Sequence, residues 1–329
     1  MADLFYVDGV TGDDDYDGLT PTVVSGAGGP WLTIQHAADT AVADSNVYVK
    51  ASTTYTLAAP VDFDTNAGAT GTHIKFIGYT DTIDDNGQVT IANGGGVATF
   101  FLFGSAIHYV DFYNFTLVRP DTFGIDLTGS DYHVISNCII RGQGCSYGID
   151  GTSSSNLNIT HCEFDGETTG GSGIVVNSTG TTIEYCYFHD WADYGCLYPA
   201  VLKGNIFYNN DRACYLSTNI VFVEGNIFDA HDSGIYVGTL NSGVSIKNNI
   251  FSNNTTYGIL NGSTTFLDGI MDYNAWYNNG QDIKYIASTP KGPHTVTLTE
   301  NPYTTAGSDW TLNDTAGGGA DCKNVGDGI

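Results

Sequence analysis

The chain is short of positive charge. Its 329 residues hold 10 Lys and Arg against 36 Asp and Glu, a formal net charge of −26 at pH 7. A field of that sign repels phosphate backbones and anionic lipid, which excludes nucleic acid and membrane surfaces as partners. No run of 18 apolar residues occurs, so no segment reads as a membrane-spanning helix. Pro is scarce, at 8, while Gly is abundant, at 42, which suits many tight turns. The 7 Cys are an odd number and include no C-x-x-C pair. That argues against a disulfide framework and a zinc site, and for free thiols made in a reducing compartment. The opening Met1-Ala2-Asp3-Leu4-Phe5-Tyr6 has no basic stretch followed by an apolar one, so no secretory signal is read there. The expectation is assembly in the cytoplasm, then a place in a virion or outside the cell.

What the chain has is a repeat. Cys138-Ile139-Ile140, Cys162-Glu163-Phe164, Cys186-Tyr187-Phe188, Asn205-Ile206-Phe207, Asn226-Ile227-Phe228 and Asn249-Ile250-Phe251 are versions of one phrase, in steps of 24, 24, 19, 21 and 23 residues. About ten residues later comes a second phrase: Gly148-Ile149, Gly173-Ile174, Gly195-Cys196, Ala213-Cys214, Gly234-Ile235, Gly258-Ile259. A third short apolar run precedes the Cys or Asn, as in Leu157-Asn158-Ile159 and Val244-Ser245-Ile246. All three alternate, are rich in β-branched and aromatic residues, and are separated by Gly, Asn, Asp and Ser, which punctuate strands. A period of this length marks a solenoid. Three strands per turn predict a single all-β parallel β-helix of about ten to twelve rungs stacked at about 4.8 Å. Cys138, Cys162 and Cys186 would then form a buried column, continued by Asn205, Asn226, Asn249 and Asn274 bonded rung to rung.

The ends differ from the middle. Residues 1–46 read as an N-terminal cap. In it Ile34, Ala37, Ala38, Ala41 and Val42 fall on one face of a short helix suited to covering the first rung. Residues 47–284 are the β-helix. Residues 285–329, with Pro290, Pro293 and Pro302, read as a C-terminal cap or assembly segment.

Three sets of side chains invite chemistry. Asp13, Asp15 and Asp17 before Gly18 follow the D-x-D-x-D-G order of a calcium loop, although its twelfth position is Val24 and not Glu. The loop after each Phe is polar: His189-Asp190-Trp191-Ala192-Asp193, then Asn209-Asn210-Asp211-Arg212, then Asp229-Ala230-His231-Asp232. In register, these would bring carboxylates to about 5 Å, the separation a retaining glycosidase needs. Asp190, Asp211 and His231 could then act as acid and base, with Arg212 holding a substrate carboxylate. The same residues also suit tight turns, where Asp and Asn bond their own backbone. Tyr194, Tyr215 and Tyr236, with Trp191, could stack on sugar rings or simply pack together.

The opening Phe5-Tyr6-Val7-Asp8-Gly9 … Trp31-Leu32-Thr33-Ile34-Gln35-His36-Ala37-Ala38 resembles the start of pectate-lyase-like right-handed β-helix proteins. The repeats at 137–260 resemble that superfamily's generic repeat. The ending Asn301-Pro302-Tyr303 … Asp309-Trp310-Thr311-Leu312-Asn313 is similar to endings of β-helix proteins of bacteriophages and environmental bacteria. This resemblance implies the fold and leaves function open among lyases, hydrolases, epimerases, tailspikes and inert structural proteins. A lyase would need a Lys or Arg base beside calcium-binding Asp, and only Arg212 lies in the acidic loops. Three functional expectations follow. One is a non-enzymatic structural or adhesive virion component, such as a spike, fibre or capsid-decoration protein; it would be a homo-oligomer, a trimer by preference, joined to other virion proteins and to a surface glycan. A second is a polysaccharide-degrading enzyme. The third is a bacterial surface or filament protein.

Overall fold

The computed structural model describes residues 3–177, 180–217, 221–238, 244–262, 270–284, 291–305 and 307–325. It divides into two compact units, residues 1–176 and 177–329. Each unit is built from three parallel sheets. Successive strands of the chain go to the first, second and third sheet in turn, then return to the first one rung on.

In residues 177–329 one rung runs through Val201–Lys203, Ile206–Tyr208 and Arg212–Leu216. The next runs through Val221–Glu224, Ile227–Asp229 and Ser233–Val237. Equivalent residues stack in register: Leu202 pairs with Val223, Phe207 with Phe228 and Cys214 with Ile235. The Phe of the repeated phrase forms an inward aromatic stack. Phe188, Phe207, Phe228, Phe251 and Trp276 follow one another at ring separations of 4.8, 5.2, 4.9 and 4.6 Å, nearly coplanar. The Gly that precedes the inward apolar residue in most rungs, replaced by Ala213 in one, has a steric cause. A Cβ on Gly195 would lie 2.8 Å from both the Ala213 carbonyl and the Phe207 ring.

The two bends of each rung explain two further periodic positions. Between the first and second sheets one residue takes the left-handed conformation: Tyr185, Gly204, Gly225, Asn248 and Tyr273, with φ between 54° and 67°. The buried residue after it is the Cys or Asn of the phrase. Asn205 Oδ1 accepts the Cys186 N–H, and Asn226 Oδ1 accepts the Asn205 N–H, both at 2.9 Å. Asn249 and Asn274 continue the ladder at 2.9 and 3.0 Å. Each amide thus satisfies a main-chain group that the bend leaves unpaired in the interior. Residues 138 and 162 hold the thiol version of this column in the other unit, both buried.

In residues 1–176 the interior opens on a cluster of aromatic rings, Phe63, Phe76, Phe101, Phe103 and Phe112. The predicted helix forms at Ile34–Thr40, with Thr33 Oγ1 capping the His36 N–H and Ile34, Ala37 and Ala38 buried. It ends sooner than its apolar pattern suggests, and Val42 is exposed. Its Gln35 binds both main-chain groups of Asp62, at 2.7 and 3.0 Å, on the terminal strand Val61–Phe63 of the third sheet. That covers part of an open edge as a further strand would.

The C-terminal segment does more than close an end. Val296–Thr297 pairs with Ala275–Trp276 and lengthens the second sheet. The hairpin Tyr303–Thr305 and Asp309–Leu312 then packs along that sheet. Trp310 lies 5.3 Å from Tyr187 and 5.4 Å from Tyr208, and buried Tyr303 bonds Ser252 at 2.7 Å. The proposed boundary at residue 285 falls in 285–290, outside the described residues.

Candidate functional site

The second bend of each rung holds the polar loops singled out from the sequence. Here too one residue is left-handed: Asp190, Asn209, Ala230, Asn253 and Asn278, with φ between 49° and 62°. Asp and Asn tolerate that conformation better than other side chains, which is a sufficient reason for Asp190. Its carboxylate accepts from the Asn209 amide and faces His189 Nδ1 at 2.8 Å. The residue after each bend, buried at 191, 210, 231 and 254 and half-buried at 279, forms a second ladder. Asn210 Oδ1 accepts the Trp191 N–H at 3.0 Å, and His231 Nδ1 accepts the Asn210 N–H at 3.1 Å. Asn254 Oδ1 and Asn279 Oδ1 follow, each at 3.2 Å.

This ladder absorbs two residues read as functional. His231 is buried, its Nε2 lies 3.1 Å from the Phe207 carbonyl, and its Nδ1 is taken by Asn210. Those partners fix the neutral ring with the proton on Nε2, and burial pushes its pKa down to about 4. The ring stands in for an Asn side chain and has no face toward solvent from which to serve as acid or base. Trp191 is likewise buried and presents no ring to a ligand. The signal for this ladder was a constant offset: 191, 210, 231, 254 and 279 each lie five residues after the first-ladder position.

The acids that do align are Asp193, Asp211 and Asp232. They precede the register-paired residues Tyr194, Arg212 and Ser233 on successive rungs. Asp193 is held above the usual carboxylate range by burial, with Arg212 opposing and Asp211 adding to the shift. Arg212 Nε is 4.0 Å from Asp211.

Arg212 turns toward the tyrosines. Its Nη1 donates to the Tyr194 hydroxyl at 2.8 Å. Its guanidinium lies over two rings, 5.4 Å from the centre of Tyr194 and 5.9 Å from that of Tyr236. Tyr194 stacks on Tyr215 at 5.8 Å, Tyr215 stacks on Tyr236 at 4.9 Å, and Tyr198 leans on Tyr215 at 5.0 Å. Tyr194, Tyr215 and Tyr236 are half-buried on the third sheet, and half-buried Tyr198 lies just past the strand that carries Tyr194. Farther along, Lys284 sits 5.1 Å over Tyr257. The result is a row of rings with cations set against them and an acidic row beside it. Because the rings stack on one another, the row presents ring edges and hydroxyls bordered by charged donors and acceptors.

Asp13, Asp15 and Asp17 are placed in the N-terminal loop, where Asp13 accepts the Asp15 N–H at 3.0 Å. Asp17 accepts Leu19 and Gly29 N–H groups at 3.0 and 3.3 Å. These bonds close turns, and the three carboxylates do not converge as a ligand set among the described residues. Asp14, not singled out, pins the start of the helix by accepting Leu32 N–H, Thr33 N–H and the Thr33 hydroxyl at 2.9, 2.9 and 2.8 Å.

Comparison with known proteins settles the class. The model of the right-handed β-helix region family matches residues 82–265 and 173–301, more than half of the chain. The protein belongs to that family. Among solved structures it is similar to a pectate lyase (11% identity, TM-score 0.54, 93% of this chain and 83% of that one). It is also similar to XylC in complex with xylose (12%, 0.60, 85% and 70%) and to a rhamnogalacturonan lyase (11%, 0.52, 92% and 91%). At such identities the likeness is one of fold. No curated protein matches the chain.

Proposed function

We propose that this protein is a structural or adhesive component that binds a surface glycan along the tyrosine row of residues 194–236. The reading rests on one observation: Tyr194, Tyr215 and Tyr236 form a continuous half-buried stack, with Arg212 fixed against it by the Tyr194 hydroxyl. The ring edges and hydroxyls of the stack offer a rigid apolar and polar border at small entropic cost, Arg212 donates, and Asp193 and Asp211 accept from sugar hydroxyls. The similarity of the chain's ending to phage β-helix proteins supports a virion setting, in which such proteins act as symmetric oligomers. The test is a glycan array of bacterial and plant polysaccharides, followed by affinity measurement on the best binder. Tyr215→Ala and Tyr236→Ala should each weaken binding by about tenfold, roughly 1.4 kcal/mol. No binding across the array, or binding indifferent to both substitutions, refutes the reading.

A second reading, glycan cleavage, is favoured by the in-register column Asp193, Asp211 and Asp232, whose rung spacing of about 4.8 Å approaches that of a retaining carboxylate pair. It predicts chain shortening of the bound glycan that is lost in Asp211→Asn. Binding without shortening leaves adhesion as the function of this face.

A further inference from the structure

The unit formed by residues 1–176 carries a separate constellation. His73 Nδ1 lies 2.8 Å from Asp111 Oδ1. Asp111 is buried, and it also accepts the Val134 N–H at 3.0 Å and the Tyr113 hydroxyl at 3.3 Å. A carboxylate so held fixes the ring proton on Nδ1 and leaves Nε2 as the basic nitrogen. His73, Lys75, Asp111 and Tyr113 line a cavity of about 250 Å³ together with Asp44 and Gly71. Lys75 and Tyr113 also line an adjoining cavity of about 290 Å³ with Asp84, Asn86, Ser136 and Asn137. Lys75 is the register partner of Asp111 on the neighbouring rung, and it makes no ion pair among the described residues. In a chain with 36 acids and 10 bases, an unpaired lysine in a cavity stands apart.

Other His–carboxylate pairs lack this setting. His294 meets Asp272 at the same 2.8 Å but is 54% exposed. Among the described residues, His73 combines a buried orienting carboxylate, a cavity and a nearby cation. An oriented base beside a cation is the minimum needed to activate water and to stabilise an oxyanion. The lining of the cavity that holds His73 has no Ser, Thr or Cys, and Ser136 lines only the adjoining one, so water is the attacking group in this scheme. Asp111, enclosed by three donors, is not placed to protonate a glycosidic oxygen, which points away from acetal cleavage and toward a carbonyl.

We propose that this cavity hydrolyses an ester, such as an acetyl group carried on a sugar hydroxyl. His73 Nε2 takes a proton from water as the water oxygen bonds to the carbonyl carbon. The carbonyl electron pair moves onto its oxygen, where Lys75 meets the charge. The oxyanion collapses, the acyl C–O bond breaks, and the departing alkoxide takes the proton back from His73. The products are a carboxylic acid and an alcohol, with no change of oxidation state. His73 and Lys75 are the catalytic residues; Asp111 is a positioning residue.

The test uses the full chain with penta-O-acetylglucose and an acetylated xylan as probes, and reads free acetate. His73→Gln should lower the rate by about 100-fold or more, and Lys75→Met by about 10²-fold. Both side chains are only half-buried, so each variant should keep the wild-type far-UV circular dichroism and melting temperature. His294→Gln should keep the wild-type rate. Asp111→Asn should lower the rate and move its pH profile, which a purely structural role would not do. No acetate from folded wild type, an undiminished rate in His73→Gln, or an equal loss in His294→Gln each overturns the proposal.

Discussion

Asn226→Ala tests the ladder that holds the first bend of each rung in residues 177–329. Asn226 Oδ1 accepts from both the main-chain N–H and the side-chain amide of Asn205, each at 2.9 Å. Its Nδ2 donates to the Leu202 carbonyl and to Asn249 Oδ1, each at 3.0 Å. Truncation leaves the Asn205 N–H without an acceptor and the Leu202 carbonyl without this donor, in a place water does not reach. Each stranded group costs about 1–3 kcal/mol, and the vacated volume adds to it. The expected loss is about 2–4 kcal/mol. With a urea m-value of about 3 kcal/mol/M, the unfolding midpoint falls by about 1 M. Hydrogen exchange locates the damage: the Asn205 amide should lose protection first, ahead of amides several rungs away. Asn226→Cys imitates the residue that the same column carries at 186, whose Sγ reaches the Glu184 carbonyl at 3.3 Å. It retains a weak donor and fills more of the space, so it should cost less than Ala. A loss below about 0.5 kcal/mol in Asn226→Ala, or an Asn205 amide that exchanges as in wild type, would show that the ladder does not carry the bends.

Acid should loosen both units. His231 and His133 are buried and neutral, each with a pKa pushed down to about 4 against an ordinary 6.5, so their contribution is complete above pH 6.5 and is lost as pH falls toward 4. Each is worth about 3 kcal/mol over that interval, and His231→Asn, which restores the ladder's commoner residue, should flatten the fall in melting temperature recorded between pH 6.5 and 4. Trp310→Ala should free the C-terminal hairpin from Tyr187 and Tyr208; limited proteolysis should then cut within residues 303–325 while the rest of the chain stays intact. Uncut Trp310→Ala would mean that Tyr303 and its bond to Ser252 suffice.

The sequence disclosed the fold wherever one residue type answered one geometric demand. Phe at 164, 188, 207, 228 and 251 and Cys or Asn at 138, 162, 186, 205, 226, 249 and 274 are repeated identities, so the period can be seen. The second bend makes the same demand, a left-handed residue followed by a buried group that can engage the neighbouring backbone. Asn210, His231, Asn254 and half-buried Asn279 meet it with two residue types, and Trp191 joins only through its main-chain N–H, so the column is hidden unless the five-residue offset is followed. His231 read as a base for that reason: a histidine in a polar loop gives no sign of its burial. The tyrosine row was legible because aromatic residues recur at the period, but the place of Arg212 within it was not, since that depends on where a long side chain turns after leaving its strand. His73 and Asp111 are 38 residues apart, in a stretch where loops of unequal length separate the rungs. Only the register of Lys75 with Asp111 brings them onto one face. In a solenoid, then, structural columns can be found by their period, whereas a catalytic grouping occurs once and leaves no period to find. The reading of such chains therefore favours scaffold over chemistry, and chemistry is best sought where the repeat is least regular.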